Sequence, residues 1–286
     1  MQGRVCGSPS TLTRTGCNAS PTGSRLAGWS VSGDRLSPEV LSCDAAPVSL
    51  EPELYEAHPT AEAASVDAAV FDFGGVLTTS VPDSIAAWLD RDGIDAASFS
   101  RTLKAWLSRS ARPGTPIHRL ETGELSTAEF DALLAAELVG KDGCPVASKD
   151  LLSGLFAEMR PDQAMFDVVQ GVKAAGVRVA MLSNSWGNTY PRERIDAMFD
   201  VVVISGEVGM RKPNADIFWH MLDLLDLPPE RVVMVDDAEA NTDGAARLGM
   251  HTILHTHPHN TRNMLARLVP TLDLHTSEPK HNTPHQ

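Results

Sequence analysis

The chain has 286 residues, enough for one large domain or a domain with an insert, and 42% of them are hydrophobic, as a globular core requires. Its formal charge of −13 argues against a nucleic-acid partner and against an anionic membrane surface, since both need basic patches. There is no apolar run of transmembrane length and no apolar signal core at the N-terminus. The four cysteines, Cys6, Cys17, Cys43 and Cys144, form no Cys-x-x-Cys pair. Their spacing indicates neither a zinc site nor a disulfide framework, and a reducing, cytoplasmic setting is the expectation.

Residues 1–65 are rich in Ser, Gly, Pro, Thr and Ala, a composition that predicts a disordered leader with one short helix over 47–56. Ala68 to Phe71 is a short apolar run, as in a buried strand, and it stops at Asp72. Gly74 and Gly75 then let the chain turn sharply. From 82 to 159 the pattern is helical. Ile85, Trp88 and Leu89 share one face, Phe99, Leu103, Trp106 and Leu107 repeat at helical spacing, and Leu151, Leu152, Leu155 and Met159 form a further stripe. Ser126 to Glu129 is a capping box ahead of Phe130, Leu133, Leu134 and Leu138. No strand signal interrupts this region, so it reads as an all-helical insert.

A helix over 161–175 stops at Gly176. Strands over 177–182, 201–204, 232–235 and 252–254 then alternate with helices over 192–199, 214–225 and 238–248. That alternation predicts an α/β fold with a doubly wound parallel sheet. Asn260-Thr261 is expected to cap a last helix reaching Leu268, and 270–286 reads as a flexible tail. The histidines crowded at this end, among them His255, His257, His275, His281 and His285, lack ligand spacing and read as solvated.

Four predicted strand ends carry complementary polar groups: Asp72, then Ser183-Asn184, then Arg211-Lys212-Pro213, then Asp236-Asp237. A parallel sheet places all such ends on one edge. Taken singly, each suits a turn, a cap or a solvated side chain. Together they suit phosphoryl transfer through a carboxylate nucleophile. Carboxylate and phosphate repel, so a hard cation is expected between them, and Mg²⁺ prefers oxygen ligands. Asp72 and Asp236 can supply carboxylates, the Ser183 hydroxyl can bind a phosphoryl oxygen beside Asn184, and Lys212 adds fixed positive charge.

These residues resemble the motifs of the haloacid dehalogenase-like hydrolases, over about 67–255. Asp72-Phe-Gly-Gly-Val-Leu77 resembles the first motif and Leu182-Ser-Asn184 the second. Arg211-Lys-Pro213 resembles the third and Val235-Asp-Asp-Ala-Glu-Ala-Asn241 the fourth, while Glu121-Thr-Gly-Glu124 with Phe130 is similar to the family's helical cap. The resemblance implies a Rossmann-like core (66–81 and 160–269) with a cap over 82–159 that closes on a small phosphorylated metabolite. It implies Asp72 as nucleophile and Ser183 and Lys212 as phosphate ligands. Magnesium would lie on Asp72, Asp236 and the Gly74 carbonyl, with Asp237 as a further metal partner. Family phosphatases carry a second Asp two residues after the nucleophile, as general acid. Here that position is Gly74, which keeps the carbonyl but not the acid, a variant similar to the phosphatase domain of epoxide hydrolases.

The missing acid points to a substrate with a good leaving group, such as an acyl or anomeric phosphate, or to a proton supplied from the cap. It also leaves room for a module that binds a phosphorylated ligand without turnover. A haloacid dehalogenase is a further alternative, although metal-free chemistry has no need of paired acids at Asp236-Asp237. Substrate choice is expected from cap residues near Trp88, Trp106 and His118, with Trp186 lining the cleft.

Overall fold

The computed structural model describes residues 65–107, 112, 114–187 and 190–272. The expected leader with its short helix, and the tail from 273, lie outside the described residues. Of the four cysteines only Cys144 lies among the described residues.

Five parallel strands make one sheet: β1 (Ala68–Phe71), β2 (Arg178–Ser183), β3 (Val201–Ile204), β4 (Val232–Asp236) and β5 (His251–Leu254), in the order β3-β2-β1-β4-β5. Both faces are covered, which is why the strands read as continuous apolar runs rather than alternating ones. Ala69, Phe71, Val179, Met181, Val233 and Val235 point to one face, against α6 (Gln163–Ala174), α7 (Arg192–Met198) and α11 (Pro258–Leu268). The alternate residues Ala68, Val70, Ala180, Leu182, Val232 and Met234 point to the other, against α9 (Ala215–Leu225) and α10 (Glu239–Ala246). The strand order reverses direction at β1, so the crevice of this doubly wound sheet opens at the carboxyl end of β1, between β2 and β4.

Five helices stand between β1 and α6: α1 (Val81–Arg91), α2 (Ala96–Leu107), α3 (Pro116–Glu121), α4 (Thr127–Glu137) and α5 (Leu151–Glu158). They have their own apolar centre, formed by Trp88, Phe99, Ile117, Phe130, Leu134, Leu152 and Leu155. The Ser126 hydroxyl accepts from the Glu129 N–H, and the Glu129 carboxylate accepts from the Ser126 N–H at 3.0 Å, so the capping box forms as read. The described part of the insert contains isolated bridges, such as Ile94 to Gly140, but no strand. Its two ends are tied together where they leave the sheet. The Thr79 N–H donates to the Arg160 carbonyl at 2.7 Å, and the Asp162 N–H to the Leu77 carbonyl at 2.9 Å.

Three expectations change. Trp88 is wholly buried, edge-on to Phe99 at 5.4 Å, and Trp106 packs on Phe130 at 5.7 Å. Trp88 belongs to the apolar centre of the insert, and Trp106, partly buried, packs against it. The last helix starts at Pro258, earlier than the Asn260-Thr261 cap, because proline suits the first helical position and the His257 side chain accepts from the His259 N–H. A four-residue helix, α8 (Ser205–Val208), follows β3 and is too short to leave a periodic signal. No helix among the described residues is long and apolar enough to cross a membrane.

Candidate active site

Asp72 directly follows β1, and its carboxylate is nearly buried. From the loop after α8, Lys212 reaches back under it, only 1% exposed. Its ammonium donates to Asp72 Oδ1 at 2.8 Å, to Asp236 Oδ2 at 2.6 Å and to the Leu182 carbonyl at 2.8 Å. All three protons are therefore placed. A buried charge without partners would be strongly destabilising, so this mutual pairing is what lets three ionisable groups share the interior. Asp236 is fully buried at the end of β4, and its Oδ1 accepts from the Ala238 N–H at 2.9 Å and from Asn241 Nδ2 at 3.0 Å.

Asn184, which also lines the neighbouring cavity, has its amide engaged with the chain. Its Oδ1 accepts from the Lys212 N–H at 2.9 Å and its Nδ2 donates to the Lys212 carbonyl at 3.0 Å. Read from sequence as a substrate contact, it holds the Lys212 backbone by both edges. Ser183 Oγ lies 2.9 Å from the Tyr190 hydroxyl, and the Tyr190 ring packs on Phe73 at 4.9 Å. Neither Tyr190 nor Asn241 was given a role by the sequence reading. Asn241 stood inside the fourth motif, whereas Tyr190 sits in a loop with no periodic signal.

The turn after β1 explains its two glycines differently. Gly75 has φ +75°, and a Cβ there would lie 2.2 Å from Asp237 Oδ2, so both the backbone and the neighbouring carboxylate require glycine. At Gly74 a Cβ would meet only the Met159 methyl at 3.5 Å and a Val81 methyl at 3.7 Å. Where the general acid of family phosphatases would start, the surroundings are apolar.

Burial pushes the Asp72 carboxyl up to about 7; Lys212 opposes that rise, and Asp236 and Asp237 add to it. Burial likewise raises Asp237 to about 6, helped by the Asp236 charge. Burial works against the Lys212 ammonium, but Asp236 and Asp72 outweigh it and keep its pKa above the ordinary value. Carboxylate oxygens of Asp72, Asp236 and Asp237 all lie within 4.8 Å of one another. Three hard oxygen donors at that spacing, crowded enough to raise two of the pKa values, suit a divalent cation such as Mg²⁺.

Beside this cluster a cavity of about 860 Å³ runs between α3 and the loops that follow β3 and β4, lined by His118, Arg119, Glu121, Asn184, Arg211 and Asn241 among others. Glu121, buried at the end of α3, joins the insert to these loops. Its carboxylate accepts from Trp186 Nε1 at 2.9 Å and pairs with Arg211, and its carbonyl accepts from Ser205 Oγ at 2.6 Å. His118 lines this cavity; Trp186, expected to line the cleft, is not among its lining residues and meets it only through its hydrogen bond to Glu121. Gly123 passes so close to the Gly206 carbonyl that a Cβ would lie 2.5 Å from it.

The family model described as haloacid dehalogenase-like hydrolase matches residues 66–249, well over half the chain, and the protein belongs to that family. Mouse acyl-CoA dehydrogenase family member 10 is 31% identical over 215 residues, which is 72% of this chain and 19% of that protein. Mouse bifunctional epoxide hydrolase 2 is 26% identical over 215 residues, covering 70% of this chain and 38% of that protein. Glyceraldehyde 3-phosphate phosphatase of Methanothermobacter thermautotrophicus is 38% identical over 106 residues, 35% of this chain and 46% of that protein. The chain thus spans less than half the length of these relatives. Among solved structures, a HAD-like family hydrolase from Porphyromonas gingivalis is similar with a TM-score of 0.53 and 25% identity, covering 71% of this chain and 97% of that one.

Proposed function

We propose that this protein is a Mg²⁺-dependent phosphatase that hydrolyses a small phosphorylated metabolite through an aspartyl phosphate on Asp72. One observation carries the reading: the Lys212 ammonium bridges Asp72 and Asp236 at 2.8 and 2.6 Å, with Asp237 completing a cluster of three carboxylates at the crevice of the sheet. A relative that bears the name of a phosphatase supports it.

In this reading an Asp72 carboxylate oxygen attacks phosphorus while the bond from phosphorus to the leaving-group oxygen breaks. Water then attacks the same phosphorus, freeing phosphate and restoring Asp72. The Ser183 hydroxyl binds a phosphoryl oxygen, and the fixed positive charge of Lys212 beneath Asp72 stabilises the charge that spreads over the phosphoryl oxygens in the transition state. Asn184 fixes Lys212 for that task. Asp72, Asp236 and the Gly74 carbonyl would hold Mg²⁺, with Asp237 as a further partner. The ion, when bound, offsets the repulsion between carboxylate and phosphate. The segment 82–159 serves as a cap over the core formed by 66–81 and 160–269, closed by the Glu121 contacts. With no carboxylate at Gly74, the leaving group departs without a proton from that position, which favours acyl or anomeric phosphates. A general acid ordinarily adds roughly 10²–10⁴-fold.

The test is phosphate release from acetyl phosphate with Mg²⁺, comparing wild type with Asp72→Asn. The expected result is turnover by the wild type that the variant loses. Equal, background-level release by both would overturn the reading. That result would favour a module that binds a phosphorylated ligand without turnover, to which the bare Gly74 position also lends itself.

A further inference from the structure

We infer that the leaving group of this enzyme's substrate carries an unbranched or compact hydrocarbon tail, held in an apolar pocket on the side of Asp72 away from the charged cluster. This rests on the phosphatase reading above and adds the class of group that phosphate is removed from.

The surroundings of Asp72 divide sharply by polarity. Toward β2 stands the Ser183 hydroxyl, below is Lys212, and toward β4 stand Asp236 and Asp237. A phosphoryl group attacked by Asp72 would meet the Ser183 hydroxyl and the Lys212 charge on those sides, and would face Asp236 and Asp237 only through a cation held between them. The 860 Å³ cavity, which takes in Lys212 and Asn184, is the polar side of the cluster; at Gly74 the neighbours are apolar instead, the Met159 methyl at 3.5 Å and a Val81 methyl at 3.7 Å from a Cβ built there. Met159 and Phe73 also wall a separate cavity of about 220 Å³, together with Phe156, Pro161, Phe166 and Pro191, with Thr78 its one polar residue. The Thr78 hydroxyl is already engaged, since it accepts from the Gly75 N–H and donates to the Thr79 carbonyl. The pocket offers no free cation or carboxylate among its lining residues, so a sugar or an amino acid would bury hydroxyl or charged groups there without partners. An engineered apolar cavity of about 150 Å³ takes up benzene, so this one accommodates a short chain or a ring. Its walls come from both the core (Phe73, Phe166, Pro191) and the end of the insert (Phe156, Met159), so a chain lodged there touches both.

A homologous series of acyl phosphates tests this, because the leaving carboxylate has the same basicity throughout. In each turnover Asp72 oxygen bonds to phosphorus as the acyl carboxylate leaves with the electrons of the broken phosphorus–oxygen bond. No proton is needed, so Gly74 is no handicap. The measurement is kcat/KM for acetyl, butyryl and hexanoyl phosphate with Mg²⁺, corrected for spontaneous hydrolysis. The expected result is a rise of at least tenfold from acetyl to hexanoyl, against a ceiling of roughly fourfold per fully buried methylene. Met159→Lys and Phe156→Asn are expected to flatten that slope. A flat or falling series in the wild type, with phosphate released from all three, would overturn the apolar subsite and leave the phosphatase reading standing. So would a slope that survives in both variants. No release from any member, acetyl phosphate included, would overturn both readings together. The wild-type series gives its answer even if a variant fails to fold.

Discussion

Asn184 and Lys212 hold each other by their polar edges, the Lys212 N–H on Asn184 Oδ1 at 2.9 Å and the Asn184 amide on the Lys212 carbonyl at 3.0 Å. The loop after β2 thereby fixes the loop that delivers the ammonium under Asp72. Replacing Asn184 with Ala leaves two main-chain groups without partners, a loss of about 1–3 kcal/mol for each one that water cannot reach. The expected outcome is a melting temperature lower by several degrees and a kcat lower by roughly tenfold, with KM little changed. A loss confined to KM would mean that Asn184 touches substrate and does not position Lys212.

Lys212 itself separates two carboxylates that would otherwise face each other in the interior. Lys212→Met keeps the length of the side chain and removes the charge. Breaking a buried ion pair on one side typically costs about 3–5 kcal/mol. The variant should therefore lose activity and melt well below the wild type in EDTA. Added Mg²⁺ should narrow the gap, because a cation on Asp72 and Asp236 takes over part of the compensation. Melting curves with and without Mg²⁺ check this, and a gap that ignores Mg²⁺ would count against a metal at these acids.

The paired glycines of the first turn make opposite predictions. Gly75→Ala meets Asp237 Oδ2 at 2.2 Å and also strains a backbone at φ +75°. Asp237 must move, so Mg²⁺ affinity, read by calorimetry, should fall by at least tenfold. Gly74→Ala adds only an ordinary contact to Met159 at 3.5 Å and should bind Mg²⁺ nearly as the wild type does.

How far the sequence reached is visible in these same residues. The apolar runs and the polar residue at the end of each pointed to Asp72, Ser183 and Asp236, because in a parallel sheet covered on both faces the strand interior must be apolar and its end need not be; Lys212, in the loop after α8, was reached through its Arg-Lys-Pro motif. The insert was legible through helical periodicity and the Ser126 capping box. What escaped was whatever depends on partners distant in the chain. Asn184 read as a ligand because nothing local says that its amide meets the backbone 28 residues on. Substrate choice was expected in the neighbourhood of Trp88 and Trp106, although their stripe says only that they face something apolar, and that is the insert's own centre. Tyr190 lies in a loop, and Glu121, quoted only as part of a cap motif, gives no local hint of its pairing with Arg211.

His255 provides a pH test away from the cluster's own chemistry. It is buried at the end of β5, its Nδ1 sharing a hydrogen bond with the Thr261 hydroxyl at 2.8 Å. Burial holds its pKa below the ordinary 6.5, with Asp162 pulling the other way and His257 reinforcing the drop. The native state thus binds this proton less readily than the unfolded chain. The stability His255 contributes is complete above 6.5 and is lost as pH falls through the lowered folded value. Asp72 and Asp237, raised to about 7 and about 6, work in the opposite sense: their contribution is complete at low pH and is lost as pH rises through those values. The informative quantity is therefore the difference between wild type and His255→Asn in metal-free buffer, which cancels the carboxylates. Between pH 7.5 and 5.5 the wild type should lose more melting temperature than the variant. Parallel curves would show that His255 keeps the same proton affinity folded and unfolded, and that its burial is relieved by solvent the fold admits at that end of the sheet.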